Sequence, residues 1–574
     1  GYFLVNGENG IEIYSTTKTG VLYGTVTVEQ ILYQDASHTS VPKGVIRDYP
    51  LYGTRGIMFD VARIPTRIQF LQDYSKILKW YKLNTMQIHL NDNQWSDPAY
   101  SPDPELWKEV EASHRLESEL FPSLAKQNSK FLKPGDNEGR YDYYYSTHTG
   151  MENGGELYYS KEEYRALEDA MGRRGVKMIA ELDTPGHSAA YNKYVYYHQE
   201  EVIHALVEHG YLDRDTYLNA DGSVKKNFYT HKPGPSGTGN FELLSIDEES
   251  SNAEEAENAR NAKIFMTALF DEYLGGIDGI EPIFTTDTVS AGVDEYWSKT
   301  PGTKAAFGKY INYMHDLLGD SGKKAEHSKN DKGYGKDVII WGAFSQFPVS
   351  STVSKDLTIA LWNSGYEDDP MARLREGFSL INIPQPFLYT TPGRNHKDML
   401  NEAYVYYNWD PTKFTDSISA DKGEPLLKGA MGALWGDENR EGITEADLHE
   451  RYLRLAAMVG EKNWGGTKEN DTFLSYEQKF DRLKEGPGTK IANKIDSKTN
   501  VVLDYDFANM SQDQKTIFDA SGNGYHGTVT GGEVVTKAGT KMLKFDGSTT
   551  IKTPLTTLGY PYTMSFDVYL DGNE

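Results

Sequence analysis

The sequence predicts a (β/α)8 barrel, preceded by part of a small α/β domain and followed by a truncated all-β sandwich. Three observations carry that expectation. Between residues 50 and 480, eight buried apolar stretches each end in polar or aromatic side chains, with helical patterning between them. At 574 residues the chain exceeds one ordinary domain and suits one large barrel with smaller modules. From Val501 the texture changes to short alternating strands broken by turn residues. A doubly wound sheet is the alternative, although it does not normally need eight such ends to converge.

Taken in order, residues 1–45 hold two alternating runs, Tyr2 to Val5 and Gly10 to Tyr14, and a helical segment from Gly20 to Tyr33. That is too little to fold alone and reads as the C-terminal part of a small α/β domain leaning on the barrel. The barrel is expected over 46–480, with strands at 55–61, 85–92, 176–183, 288–295, 337–344, 357–363, 380–389 and 432–437. The helix at 68–82 places Phe70, Leu71, Tyr74, Ile77, Leu78 and Tyr81 near one face, and Ser160 with Glu163 forms a capping box for another. Two long insertions, 96–160 and 191–260, leave from strand ends and are expected to build walls there. The first carries Tyr141, Tyr143, Tyr144 and Tyr145. Residues 481–500 read as a linker, and 501–574 as a partial β-sandwich with strands at 501–507, 524–530, 541–545, 549–552 and 563–570.

Composition narrows the function. The net charge of −25 disfavours nucleic acid or an anionic membrane as partner. No run of 18 apolar residues exists, so no membrane insertion is expected. The absence of cysteine removes disulfides, thiolate catalysis and zinc-thiolate sites together. The 40 Tyr and 9 Trp favour stacking on sugar faces. The chain opens directly on strand-like Gly1-Tyr-Phe-Leu-Val5 and stops in mid-pattern, so localisation signals are expected outside it and the location is expected to be extracellular or at the cell wall.

The chemistry gathers at the strand ends: Asp60 and Arg63; Asp92, Asn93, Gln94 and Trp95; Glu181, Asp183 and His187; Asp294 and Glu295; then Trp341, Trp362, Tyr389, Trp435, Asp437 and Glu438. Acids where a buried strand leaves the core are costly and usually kept for chemistry. The bland alternative for Asp294 and Glu295 is a helix cap beside a solvated acid. Carboxylates ringed by Trp and Tyr at a barrel mouth describe a glycoside hydrolase site. A metal site competes, but His89 and His187 lack ligand pairing at helical spacing, and neither metal nor cofactor is expected. Asp60 and Arg63 are expected as an internal ion pair near the barrel floor.

The motifs Gly53-Thr-Arg-Gly-Ile-Met-Phe-Asp-Val-Ala-Arg63, His89-Leu-Asn-Asp-Asn-Gln-Trp95, Glu181-Leu-Asp-Thr-Pro-Gly-His187, Gly292-Val-Asp-Glu-Tyr296 and Leu434-Trp-Gly-Asp-Glu438 resemble, in order, those of glycoside hydrolase family 20, the β-N-acetylhexosaminidases and lacto-N-biosidases. The likeness covers residues 2 to about 465. Two departures stand out: Ser290 where that family usually has His, and Asn93 where a second acid often follows Asp92. Trp435-Gly-Asp437 replaces the Trp-x-Glu common among exo-hexosaminidases and is similar to the lacto-N-biosidases. Behind the barrel, Asp519-Ala-Ser-Gly-Asn-Gly524, Phe545-Asp-Gly547 and Met564-Ser-Phe-Asp-Val568 resemble a laminin-G or concanavalin-like lectin domain, as a binding module or a spacer.

The resemblance implies a retaining, substrate-assisted mechanism. Glu295 protonates the leaving oxygen and later activates water. Asp294 orients the 2-acetamido N–H of the substrate, whose carbonyl oxygen is the nucleophile, and Tyr389 donates to that oxygen. Adjacent acids cannot bracket an anomeric carbon as two carboxylates roughly 5–5.5 Å apart do in ordinary retaining enzymes. Trp341, Trp362 and Trp435 are placed around the N-acetylglucosamine ring. Asp437 and Gln94 are assigned to a second sugar, with Arg55 as a further candidate. Asp92, Asp183 and His187 are expected to support the acid. The leading expectation is release of galactosyl-β-1,3-N-acetylglucosamine (lacto-N-biose) from milk or mucin-type glycans. Removal of single N-acetylhexosamines, and a non-catalytic carbohydrate-binding protein, are the alternatives.

Overall fold

The apolar runs become parallel strands because each is covered on both sides and alternation gives way to continuous burial. In the computed structural model, strands β4 (Thr54–Asp60), β5 (Thr85–His89), β8 (Lys177–Thr184), β9 (Thr288–Gly292), β10 (Asp337–Trp341), β11 (Thr358–Leu361), β12 (Ser379–Asn382) and β14 (Leu427–Leu434) pair side by side in that order, and β14 pairs with both β12 and β4. The eight form a closed parallel ring, a (β/α)8 barrel. The described residues are 1–64, 66–93, 112–127, 158–231, 242–296, 302–345, 347–365, 368–392, 397–436, 445–468, 470–484, 486–489, 495, 497–555 and 563–570. They divide into two compact units, 1–489 and 490–574.

Several strand boundaries differ from expectation, and two of the differences have a plain physical reason. The run at 380–389 is broken: β12 stops at Asn382, a helical turn covers Gln385–Leu388, and a two-residue strand β13 (Tyr389–Thr390) resumes beside β14. Pro384 and Pro386 supply no N–H to a ladder, so the strand cannot continue through them. The run at 288–295 stops at Gly292, because the next residues turn with positive φ. The last strand begins earlier than expected, at Leu427.

The helix Ile68–Trp80 buries Phe70, Leu71, Tyr74, Ile77 and Leu78, the face its spacing predicts. Ser160 and Glu163 cap the helix Lys161–Gly172 reciprocally. Strand β6 (Asn91–Asn93), just ahead of the first insertion, pairs antiparallel with β7 (Ala112–His114) within it, which pins the chain just after β5. The insertion's clustered tyrosines lie outside the described residues. The second insertion opens with helices Ala189–Tyr197 and Gln199–Glu208. Among the described residues no helix is long and apolar enough to cross a membrane.

Ahead of the barrel, strands β1 (Tyr2–Gly7), β2 (Gly10–Tyr14) and β3 (Gly44–Asp48) form an antiparallel sheet in the order β2-β1-β3. The helix Lys18–Gln34, N-capped by Thr17, lies on it. Tyr2, Leu4 and Tyr23 form its core together with Ile13, Val28, Ile46 and Trp464, the last from a barrel helix.

The second unit is β-rich. Strands β15 (Tyr505–Met510), β16 (Thr516–Asp519), β17 (Gly527–Thr530) and β20 (Thr550–Lys552) form one antiparallel sheet, and β18 (Glu533–Lys537) with β19 (Thr540–Lys544) a hairpin. Ile517, Val529 and Leu543 are its core. The strand expected at 563–570 does not form. Its alternating Met564, Phe566, Val568 and Leu570 are exposed and find no partner strand among the described residues. Alternation alone cannot make a strand without a ladder to join.

Candidate active site

All eight strands point their C-terminal ends to one side, and the strand-end residues meet there. β4 delivers Asp60 and, one turn later, Arg63. The Arg63 backbone N–H donates to Asp60 Oδ1 at 2.9 Å, and its Nη1 lies 3.2 Å from Asp60 Oδ2 and 2.6 Å from Asp92 Oδ2. The Asp60–Arg63 pair therefore exists, but at the C-terminal mouth and not at the barrel floor. The strand rises from Thr54 toward Asp60, and the Gly436 N–H beyond β14 donates to Asp60 Oδ2 at 2.9 Å.

From Asp92 a chain of acids and bases runs outward. His187 Nδ1 bonds Asp92 Oδ1 at 2.7 Å, and its Nε2 lies 3.4 Å from Glu295 Oε2 and 3.9 Å from Asp294 Oδ2. It also runs inward. His89 Nε2 bonds Asp92 Oδ2 at 2.6 Å, while Nδ1 bonds Glu181. Asn91 holds the wall beside this chain: its Oδ1 accepts from the Asp183 N–H at 2.7 Å, and its Nδ2 donates to the carbonyls of Asp183 and His187.

The turn after β9 is strained. Gly292, Val293 and Glu295 have φ of 71°, 90° and 49°, and His187 has 49°. Non-glycine residues at such angles cost about 1–3 kcal/mol each and persist where the surroundings over-determine them. At Gly292 the reason is visible, since a Cβ there would collide with the Asp183 carboxylate. The tight turn brings the Val293 N–H to within 3.2 Å of Asp183 Oδ1 and sets Asp294 and Glu295 at the mouth.

The two adjacent acids then diverge in environment. Asp294 is 8% exposed, and burial, reinforced by the Glu295 and Glu181 charges against that of His187, pushes its carboxyl up to about 6. Its Oδ1 has no hydrogen-bond partner among the described residues. Burial would raise Glu295 as well, but the hydrogen bond and charge of His187, with the charge of Arg63, outweigh it and hold that carboxyl below its usual value. The Glu295 side chain is 32% exposed and faces outward. Burial, with Asp294 beside it, raises Asp183 well above the ordinary carboxylate range. Burial opposes ionisation of Asp92 too, but Arg63, His187 and His89 hold it far below that range.

Across from these acids stands an aromatic wall. Trp362 and Tyr389 lie parallel at 6.2 Å, and Trp435 packs at 6.0 Å from Tyr389 and 5.7 Å from Trp341. Trp362 Nε1 donates to the Gly342 carbonyl at 3.2 Å. The indole N–H groups of Trp341 and Trp435 are buried without a partner among the described residues. The Arg63 guanidinium lies 5.7 Å from the Trp435 ring.

The structure thus brings Asp92, Asp183, His187, Asp294, Glu295, Trp341, Trp362, Tyr389 and Trp435 together. Gln94 and Asp437 lie outside the described residues. Arg55 does not belong to the site. It begins β4, about 16 Å below Asp60 at roughly 3.3 Å per residue, and is 2% exposed. There it donates to the carbonyls of Lys82, Tyr52 and Gly53 and to the Tyr23 hydroxyl. Arg63 is the cation that sequence reasoning set aside; its place one turn past a strand's last acid was the available signal. Two trios, His89–Glu181–Asp183 and Asp183–His187–Asp294, are tight enough to compare with metal sites. Both His89 nitrogens and His187 Nδ1 are already engaged by carboxylates, so the trios read as acid–base networks.

A closed barrel with paired acids facing an aromatic wall defines a glycosidase-type site. The catalytic-domain model of glycosyl hydrolase family 20 matches residues 52–467, and that family's domain 2 matches residues 1–49, so the chain belongs to glycosyl hydrolase family 20. It is 25% identical over 469 residues to a β-hexosaminidase of Vibrio furnissii, covering 80% of this chain and 64% of that protein. It is 20% identical over 492 residues to a lacto-N-biosidase of Bifidobacterium bifidum, covering 84% and 34% respectively. The chain therefore spans less than two thirds of the length of either relative. Among solved structures, it resembles the exo-β-N-acetylglucosaminidase of Vibrio harveyi in complex with N-acetylglucosamine, with TM-score 0.54, 20% identity, and 85% and 66% of the two chains covered. The β-N-acetylhexosaminidase of Streptomyces coelicolor gives TM-score 0.54 at 19% identity, covering 85% and 81%.

Proposed function

We propose that this chain hydrolyses β-linked N-acetylhexosaminides with retention, using the substrate's own acetamido group as nucleophile, and that the released unit is lacto-N-biose. One observation carries the mechanism. Asp294 and Glu295 are neighbours on one turn, the first buried with an oxygen left without a donor among the described residues, the second partly exposed and tied to His187. A buried acceptor with no partner is expensive unless a ligand supplies one. The 2-acetamido N–H supplies it, and its carbonyl oxygen is then held against the anomeric carbon by the Tyr389 hydroxyl. As that oxygen attacks, positive charge grows on the amide nitrogen and ionised Asp294 stabilises it. Glu295 gives its proton to the departing oxygen and then takes one from water, which opens the oxazolinium ion from the face the leaving group vacated. His187, whose imidazole Asp92 keeps charged, holds the Glu295 carboxyl below its usual value and lies 3.4 Å from it, placed to share the proton that Glu295 delivers.

Release of a disaccharide is supported by the sequence Trp435-Gly-Asp437, whose acid is one methylene shorter than Glu, and by the likeness to the lacto-N-biosidase. Release of a single sugar is the second reading, supported by the likeness to the β-hexosaminidase. Side-by-side assay of the p-nitrophenyl β-glycosides of lacto-N-biose and of N-acetylglucosamine decides between them. Release from the disaccharide alone supports lacto-N-biosidase, release from the monosaccharide alone the second reading, and release from neither at high enzyme concentration overturns both.

A further inference from the structure

Deeper in the barrel lies a second pair of ionisable groups that the mechanism above leaves unused. Glu181 and His89 are both 0% exposed. His89 presents Nδ1 to Glu181 Oε1 and Nε2 to Asp92 Oδ2, the latter at 2.6 Å. A neutral imidazole has one bare nitrogen, and here it would set a lone pair against a carboxylate oxygen, whichever tautomer it adopted. Facing two ionised carboxylates, the ring therefore carries both protons. The other oxygen of Glu181 accepts from two neutral donors, Ser290 Oγ at 2.6 Å and Gln87 Nε2. These residues come from four strands: Gln87 and His89 from β5, Glu181 from β8, Ser290 from β9, with Asp92 from β6. Burial alone would discharge His89; Asp92 and Glu181 outweigh it and hold the ring well above its usual range.

We propose that Glu181 and His89 are positioning residues for the reaction, an internal ion pair that fixes the charge of the Asp92–His187 relay and sets the pH at which Asp294 loses its proton. This rests on Asp294 and Glu295 being the reacting pair. The path is short. His89, Glu181 and Asp183 lie with facing atoms within 4.8 Å of one another, and so do Asp183, His187 and Asp294. Among the described residues, the other ionisable groups around this path are Asp60 at the end of β4 and Arg63 beyond it, Asp92 on β6, Asp183 and His187 from β8 and its following turn, Glu295 after β9, and the hydroxyls of Tyr191 and Tyr310 beside Asp183. Glu181 and His89 act on Asp294 with opposite sign.

That opposition gives a test that a packing role cannot imitate. In Glu181→Gln, the imidazolium of His89 survives on Asp92, the local charge becomes more positive, and the acidic limb of kcat/KM moves down by about one pH unit. In His89→Gln the anion of Glu181 remains, and the same limb moves up by a similar amount. Shifts of the same sign, or none in either variant, overturn the proposal. A second measurement needs no variant and no activity: 15N NMR of the wild-type protein at pH 7 is expected to show both ring nitrogens of His89 protonated, and a neutral ring overturns the ion pair. Failure of the wild type to hydrolyse any β-N-acetylhexosaminide sinks the catalytic reading instead, and the NMR result still decides the ion pair.

Discussion

The two ends of the barrel both bury charge, yet only one is equipped for chemistry. At the N-terminal end, Lys82 Nζ bonds Asp48 Oδ2 at 3.0 Å, the Tyr2 hydroxyl at 3.0 Å and Thr27 Oγ1 at 2.7 Å. Asp48 Oδ1 accepts from Trp464 Nε1 at 2.8 Å, and the Arg55 guanidinium is spent on three carbonyls and the Tyr23 hydroxyl. The cations Arg55 and Lys82 and the Asp48 carboxylate thus all have partners, and Trp464 and Tyr23 cover the cations. At the C-terminal end the matching is incomplete. Among the described residues, Asp294 Oδ1 and the indole N–H groups of Trp341 and Trp435 are buried with capacity to spare. Buried charge by itself is a fastener. Buried hydrogen-bonding capacity left over is what a ligand completes.

The largest effect expected from that contrast is at Glu295. Glu295→Gln keeps shape and removes the proton, so kcat is expected to fall about 10²–10⁴-fold with the melting temperature nearly unchanged. Near-normal turnover would move the acid elsewhere. At the opposite end, Arg55→Ala strips four hydrogen bonds from a buried cluster and leaves a cavity. A loss of about 3–5 kcal/mol in unfolding free energy is expected, while KM of the remaining folded enzyme stays at the wild-type value. A raised KM would return Arg55 to the site.

Asp294→Asn tests the cost of the unmatched oxygen. The folded-state carboxyl is held at about 6 against 3.8 for an unperturbed one, so ionising it in the fold is unfavourable. That penalty is absent below about pH 4, grows as pH rises to about 6 and is constant above. The Asn variant never ionises. It should therefore be more stable than wild type at pH 7, by at most about 3 kcal/mol, with the gain gone at pH 4 and activity lost throughout. In the wild type, kcat/KM should fall tenfold per pH unit below about 6. An unfolding series showing equal stability at pH 7 would sink this account. The smallest effect is expected at Trp341→Phe, which keeps the apolar wall but deletes an indole N–H. A several-fold rise in KM, about 1 kcal/mol, is the expected reading; no change would mean that N–H never meets substrate.

Much of the fold and the site was legible in the sequence because the decisive signals are local. Continuous apolar runs ending in acids mark strands of a barrel and their catalytic ends, and five short motifs carry the family. The features that escaped the sequence were of another kind. Arg55 and Arg63 sit eight positions apart on the same motif, and only the direction in which β4 rises separates a fastener from a site residue. Pro384 and Pro386 gave a readable warning that the strand before Tyr389 would break. The alternation at 563–570 was real, but a strand depends on a partner that alternation does not supply.

The sequence by itself determined the barrel, the family and which acids stand on the turn after β9, since chain order and side-chain period suffice for these. The tertiary structure alone decided the charge each acid carries. His89 and Glu181 are 92 positions apart and meet across β5 and β8, and His187 reaches Asp92 from a turn whose carbonyl Asn91 bonds. Ionisation inside a protein depends on burial and on the field of neighbours within a few ångströms. Those neighbours come from β4, β5, β8 and β9, and it is the closing of the ring that places them around Asp294.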